Sequence, residues 1–457
     1  MILRAARPAT GDPPAGGDGA AGRAVAAAVA ALALLAGGLA LLIGLTTPWS
    51  VLGAPVPGGA VPPDPSRDFT AAQIARERAY HAAVHPPAYL SLGIGLAVAA
   101  LLALTPAGAG LAGLARRLLG RGWKREVTGA AVAVVGLARA CTVPFDAWAE
   151  AVQRRYGLST QSWAGWAADQ AKGLGIALAV TVPLLLLYFL LARRLPRWWW
   201  APLAGIGAAF VLAASFAYPL VIEPLFSSFH PLPPGPLRTS LLDLAHQDGV
   251  RVDEVLVADA SRRTTTLNAY VSGFGASRRI VLYDTLLSEP PPQIRLIVAH
   301  ELGHVRGGDV LHGTLEGAIG FAAGTCLGFL VLRSRRRLLR RAGAGSAHDP
   351  RAVALVLGFV TWASFLASPV QNLVSRHIEA RADVHSLDLT GDTVPFVLAH
   401  RDLAVRGLST LDPNPVPYAL LFNHPTEPER IALARDWARI HGRPEPPSLV
   451  PARGGHR

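Results

Sequence analysis

Cysteine, lysine and methionine are nearly missing from this chain. Its 457 residues include two cysteines, Cys141 and Cys326, and one methionine. So few cysteines exclude a disulfide scaffold and a cysteine-built metal site. Both lie in apolar runs and read as small buried hydrophobes. Lys124 and Lys172 are the only lysines, so the basic charge is almost all arginine. Charge itself is scarce: charged residues make up 16% of the chain, well below the ~25% of an average soluble domain. Hydrophobic residues make up 51%, and the mean hydropathy is +0.33. A chain with this much apolar surface to bury is not disordered as its main state. The net charge is +12. The arginines sit at the ends of apolar runs, without stacking aromatics between them. That pattern fits orientation in a membrane and not a nucleic-acid partner.

Seven long apolar stretches are present, at residues 24–45, 89–112, 127–143, 173–191, 201–222, 313–332 and 352–374. Most approach the ~20 residues that cross a bilayer as a helix. A cleaved signal peptide is the alternative reading of the first, although its apolar run is long for one. The third is the weakest, being short and carrying Arg139. Glu316 raises the same question in the sixth. Ionisable residues within a span usually face protein or water, and an interfacial position also fits both.

The expected fold is therefore mainly α: a multi-pass membrane protein with about seven transmembrane helices. Residues 1–22, rich in glycine and proline, read as a disordered tail, and 23–222 as a five-helix membrane domain. Residues 223–312 read as a small α/β unit inserted between the fifth and sixth spans. Residues 313–374 hold spans six and seven, 375–440 complete the site, and 441–457 form a second tail. Within the inserted unit, residues 236–248 show a helical apolar face. Strands are expected at 252–258, 268–274 and 279–283, with Gly275-Ala276-Ser277-Arg278 as a hairpin turn. Pro290-Pro291-Pro292 opens a further helix, which Gly307-Gly308 stops.

That helix carries His300-Glu301-Leu302-Gly303-His304, an HExxH motif. Histidines four apart project from one helix face and can grip one zinc ion. The glutamate after the first histidine can serve as general base toward a water molecule. The alternative is two packed histidines and a solvated glutamate. Catalytic zinc takes three protein ligands and keeps one position open. The best third ligand lies in Arg376-His377-Ile378-Glu379-Ala380-Arg381-Ala382-Asp383, just past the last span. If a helix continues there, Glu379 and Asp383 share a face. Glu379 could then bind zinc, and Asp383 could hold the free ring nitrogen of a ligand histidine. An exposed helix with charge pairs fits the spacing equally well. His377, His385 and Glu316 are rival ligands.

The ordered set resembles the CAAX prenyl protease 1 family of integral-membrane zinc metalloproteases. HExxH is followed by an ExxxD helix among seven spans. Glu223-Pro224-Leu225-Phe226, Phe229 and Pro231-Leu232-Pro233 resemble the start of that family's protease domain. Asn268-Ala269-Tyr270 resembles its substrate-side strand, and His424-Pro425 with Arg430 its C-terminal element. Tyr156 to Gln161 and Asp169 to Lys172 resemble its loop before the fourth span. The similarity covers roughly residues 60–440. It implies one Zn2+ per chain on His300, His304 and Glu379, with Glu301 as general base and Asp383 behind a ligand. It implies that Asn268, Ala269 and Tyr270 bind substrate backbone by β-addition. It implies that His424 and Arg430 stabilise the oxyanion, and that the membrane helices enclose a chamber.

The expected partners are a peptide or membrane-protein substrate and the lipid bilayer, and the expected role is membrane-protein processing or quality control. No feature encodes recognition of a prenyl group. A transporter, or a zinc-stabilised scaffold without activity, is the alternative function. An intact Glu301 disfavours the scaffold, since a structural zinc site needs no base. Orientation brings two lines of reasoning into conflict. Arg116, Arg117, Arg121, Lys124 and Arg125 crowd one loop, Arg193, Arg194 and Arg197 a second, and Arg333 to Arg341 a third. Short basic loops stay in the cytoplasm, which puts the HExxH region outside it. The resemblance to eukaryotic members implies the cytosolic side.

Overall fold

The computed structural model describes residues 16–273 and 278–451. Its N-terminal half is a set of long helices. These are α1 (Gly16–Thr46), a short α2 (Pro65–Asp68), α3 (Ala71–Leu104), α4 (Pro106–Leu119), α5 (Trp123–Arg155), α6 (Trp163–Arg194) and α7 (Trp200–Ala217). A π-helical turn, Tyr218–Ile222, carries α7 into α8 (Glu223–Phe226). The inserted unit holds β1 (Phe229–Pro231), α9 (Pro236–Gln247), β2 (Glu254–Ala258), β3 (Ala269–Ser272), β4 (Arg279–Tyr283) and α10 (Pro291–Gly307). After it come α11 (Asp309–Ser334), α12 (Arg336–Arg341), α13 (Val353–Thr390), α14 (Thr393–Gly407), α15 (Pro415–Leu421) and α16 (Glu427–Ile440).

Among the described residues, 7 helical segments are long and apolar enough to cross a membrane. They are α1, α3, α5, α6, α7 with its extension to Phe226, α11, and Pro350–Thr390, which contains α13. All seven expected stretches are thus found. The second ends earlier than expected. Thr105 leaves the helical conformation and Pro106 opens α4, because proline fits the first turn of a helix but breaks an interior. The third is not short: α5 runs 33 residues. Its Arg139 pairs with Asp146 and donates to Gln170 of α6, so the charge is held within protein. Glu316 of α11 accepts a 3.5 Å hydrogen bond from Thr46 at the end of α1.

The sheet has four strands in the order β1-β2-β4-β3. β2 and β4 run parallel, and the outer strands pair antiparallel. Among the described residues, β3 therefore has one unpaired edge. The expected hairpin turn at 275–278 falls mostly on 274–277, which lie outside the described residues. One face of the sheet packs on α9 and α10 through Leu241, Leu244, Ile280, Leu282, Val298 and Leu302.

The ends of the chain depart from the tails expected at 1–22 and 441–457. Helix α1 already begins at Gly16. Residues 441–451 pack on the protease lobe: Glu445 lies 2.6 Å from Arg67 and 2.9 Å from Arg439. Leu449 joins the cluster around Phe69, Phe396 and Trp437. Residues 1–15 and 452–457 lie outside the described residues.

Candidate metal centre

Helix α10 has an amphipathic build. Ile294, Leu296, Val298, Ala299 and Leu302 are buried, which fixes the rotation of the helix and aims His300 and His304 at α13. Helix α13 runs unbroken out of the last span. Its continuation brings Glu379 and Asp383 to α10. Contact between the two helices is close because Gly303 has no side chain: a Cβ there would lie 3.1 Å from Cα of Ala382.

His300, His304 and Glu379 each offer one ligand atom, all within 4.8 Å of one another. The Nε2 atoms of the two histidines are 3.1 Å apart. Two nitrogens on a tetrahedral zinc, each at ~2.05 Å, would be separated by about 3.3 Å. Oε2 of Glu379 lies 3.2 Å from Nε2 of His300, and Oε1 lies 3.6 Å from Nε2 of His304. Oε2 is buried without a hydrogen bond. A buried carboxylate oxygen left unbonded is costly, and a cation between these three groups would satisfy it. The donor set, two imidazoles and a carboxylate, is one that catalytic zinc uses. The residues present fit the metal.

The rival ligands lie elsewhere. His377 packs at a tilt against Trp49, with ring centroids 5.1 Å apart, and bonds its own helix at Leu373. His385 faces Asp248 at 3.1 Å. Glu316 faces Thr46 within the membrane helices.

Asp383 is fully buried and lies 2.8 Å from Nδ1 of His300. Burial alone would lower the His300 pKa, but the neighbouring carboxylates of Asp383 and Glu379 outweigh that and raise it well above the usual value. Arg430 grips Asp383 through Nε, at 2.8 Å, and through Nη2. Arg430 thus stands behind His300, its fork engaged by Asp383. His424 is the exposed group at the site, with Nε2 3.3 Å from Oε1 of Glu379. His424 and Arg430 also line a cleft of about 310 Å³ with Ser409, Leu421 and Glu427. Glu301 is partly buried, and burial raises its pKa. Among the described residues its carboxylate makes no hydrogen bond or ion pair.

Strand β3, with Ala269 and Tyr270, lies against α10. Asn268 precedes it with an exposed side chain, and its carbonyl accepts from the Tyr283 amide at 3.0 Å. Four polar residues around the site were not singled out from the sequence. Asp309 meets His304, Arg381 meets Asp309, and His400 joins Glu427 at 2.6 Å behind Asp383. The glycine pair after HExxH and the aspartate that follows it were the one local signal.

The model of peptidase family M48 matches residues 231–438. A second model, the CAAX prenyl protease N-terminal region with five membrane helices, matches residues 58–228. An uncharacterized metalloprotease of Bacillus subtilis, YhfN, is 33% identical over 302 residues, covering 64% of this chain and 69% of that protein. The chain belongs to peptidase family M48. Among other M48 relatives, CAAX prenyl protease 1 of Saccharomyces cerevisiae is 28% identical over 301 residues, 61% of this chain and 65% of that one. The rice homolog of CAAX prenyl protease 1 is 28% identical over 302 residues, 64% of this chain and 69% of its own. The chain spans about two thirds of these relatives. The crystal structure of S. mikatae Ste24p superposes with a TM-score of 0.72 at 21% identity, over 89% of this chain and 98% of that one. The M48 chain is therefore a multi-pass membrane protein of the CAAX prenyl protease fold and a metallopeptidase by family.

Proposed function

We propose that this M48 member is a zinc endopeptidase that hydrolyses peptide bonds with Glu301 as general base. One observation carries the reading: His300, His304 and Glu379 converge within 4.8 Å beside Glu301, whose carboxylate makes no hydrogen bond or ion pair among the described residues. Zinc, when bound there, supplies Lewis acidity and acidifies water.

The chain's own residues supply the rest. Glu301 accepts the proton of the attacking water and passes it to the leaving amine. Its burial raises its pKa, which suits a base that must also give the proton back. The free edge of β3 pairs with the substrate backbone, and Asn268, Ala269 and Tyr270 hold it by strand addition. His424, exposed beside Glu379, donates to the oxyanion as charge develops. Arg430 acts from behind. Its fork fixes Asp383, which fixes His300, and its charge favours the same anion at longer range.

The substrate is a peptide segment presented from the membrane. The curated relatives named as CAAX prenyl proteases suggest C-terminal processing. Turnover of membrane proteins suits the same site and requires no prenyl group. The arginine-rich loops support a site outside the cytoplasm. Full-length protein in detergent should cleave an unstructured peptide, lose that activity to a chelator and regain it with zinc. Cleavage that survives exhaustive chelation would refute the metal mechanism.

A further inference from the structure

His304 has a partner that its role as a ligand does not by itself require. Its Nδ1 lies 2.8 Å from Oδ2 of Asp309. The other oxygen of Asp309, Oδ1, accepts from Nη2 of Arg381. Asp309 opens α11, and Arg381 sits on α13 two residues past Glu379. Two glycines make the contact possible. Gly308 takes the left-handed conformation, φ 67, and turns the chain sharply between α10 and α11. That turn brings Asp309 back onto a ring five residues earlier. At Gly307 a Cβ would lie 2.0 Å from Nη2 of Arg381, so the guanidinium occupies the space a side chain would fill.

We propose that Asp309 and Arg381 form a positioning pair for His304. Asp309 holds Nδ1 in its protonated form, which leaves the Nε2 lone pair free for the metal and fixes the ring's rotation. Arg381 occupies the second carboxylate oxygen and fixes Asp309 in turn. The pair ties the metal ligand to two different helices, at the start of α11 and the extramembrane end of α13. This inference rests on the reading of His304 as a ligand.

The same logic stands behind His300, where Asp383 and Arg430 are the partners. The two sets differ in burial. The side chain of Asp383 is 0% exposed and that of Arg430 9%, against side-chain values of 12% for Asp309 and 26% for Arg381. Loss of Asp309 therefore leaves a less deeply buried charge behind and disturbs the fold less. Its effect should fall on the metal.

The test uses full-length protein in detergent, with zinc affinity read by competition against a chromophoric chelator. Thermal unfolding of the metal-free protein reports on the fold. Asp309→Ala should weaken zinc binding by about 10–100-fold, the usual range for partners of metal-bound histidine. It should also alter the visible spectrum of the cobalt-substituted protein. Arg381→Ala should weaken binding less, Arg381→Lys should recover most of it, and the Asp309→Ala/Arg381→Ala double variant should be no worse than Asp309→Ala alone. If Asp309→Ala fails to fold, Asp309→Asn gives the same reading with a smaller loss. A zinc affinity within about twofold of wild type, with an unchanged cobalt spectrum, overturns the pairing. His304→Ala separates the two ideas. If it keeps its zinc, the ligand reading fails; if it loses zinc while Asp309→Ala does not, only the positioning role fails.

Discussion

Gly303 and Ala382 hold α10 and α13 at backbone contact, with 3.1 Å between Cα of Ala382 and the place a Gly303 Cβ would take. This contact sets the distance between the two histidines on one helix and the carboxylate on the other. A branched side chain at 303 must push the helices apart. Gly303→Val should cost about 1–3 kcal/mol of stability, as overpacking does, and should lower zinc affinity as well. Thermal unfolding with and without zinc measures both. Wild-type affinity in a destabilised Gly303→Val protein would mean that the spacing does not govern the site.

Glu301→Gln keeps the shape of the side chain but cannot take a proton. Activity should fall by about 10²–10⁴-fold, the usual contribution of a general base. Zinc content and unfolding temperature should stay at wild-type values, because Glu301 makes no hydrogen bond or ion pair among the described residues. A variant that retained more than about a tenth of kcat would contradict the role.

Zinc should bind at one per chain through His300, His304 and Glu379. In His304→Ala one of the three donors is gone, and the remaining pair of groups cannot hold the metal against a chelator. Metal analysis after dialysis gives the answer. Retention of one zinc per chain would move the site elsewhere.

Much of the site was readable because it is local. His300 and His304 are four apart on one helix, and that spacing alone marks a metal face. The seven spans were readable from the lengths of their apolar runs. Glu379 was readable only together with an ordered resemblance, since an exposed charged helix has the same spacing. Contacts made through space left no such trace. Arg381 and Asp309 are 72 residues apart, and Arg430 and Asp383 are 47 apart. Arg430 was expected at the oxyanion, yet its fork is turned to Asp383, a choice made by the packing of α16 on α13. The short strand β1 was missed, because three residues that include Pro231 carry no alternating pattern. The segment 441–451 read as a tail because it is polar and proline-rich; Glu445 holds it down through Arg67 and Arg439.

The Arg430–Asp383 pair has a stability consequence of its own. Both groups are buried, at 8% and 0% exposure. Removing one partner strands the other charge, which typically costs about 3–5 kcal/mol. Arg430→Met should therefore lower the unfolding midpoint of the metal-free protein sharply. Arg430→Lys, which keeps the charge and loses the fork, should lower it less. A double variant with Asp383→Leu should recover part of the loss, since no charge is then left unpaired. An Arg430→Met protein as stable as wild type would show that Asp383 is not ionised in the fold.

The last prediction concerns the side of the membrane. Helix α11 has 26 residues, so it is about 39 Å long at 1.5 Å per residue. Asp309, beside the metal cluster, stands at one end, and Arg333 and Arg335 stand at the other. The metal site and the basic loop therefore lie on opposite faces of one span. Basic loops resist translocation during insertion, so the expected arrangement has the arginine end in the cytoplasm and the site outside. Cysteine labelling in intact cells tests this, with Cys141 and Cys326 first replaced by alanine. New cysteines go at the exposed positions Arg251, in the protease unit, and His348, in the loop before α13. An impermeant maleimide should label position 251 and not position 348. The reverse pattern would put the site in the cytosol, and labelling at both positions would mean that α11 does not cross.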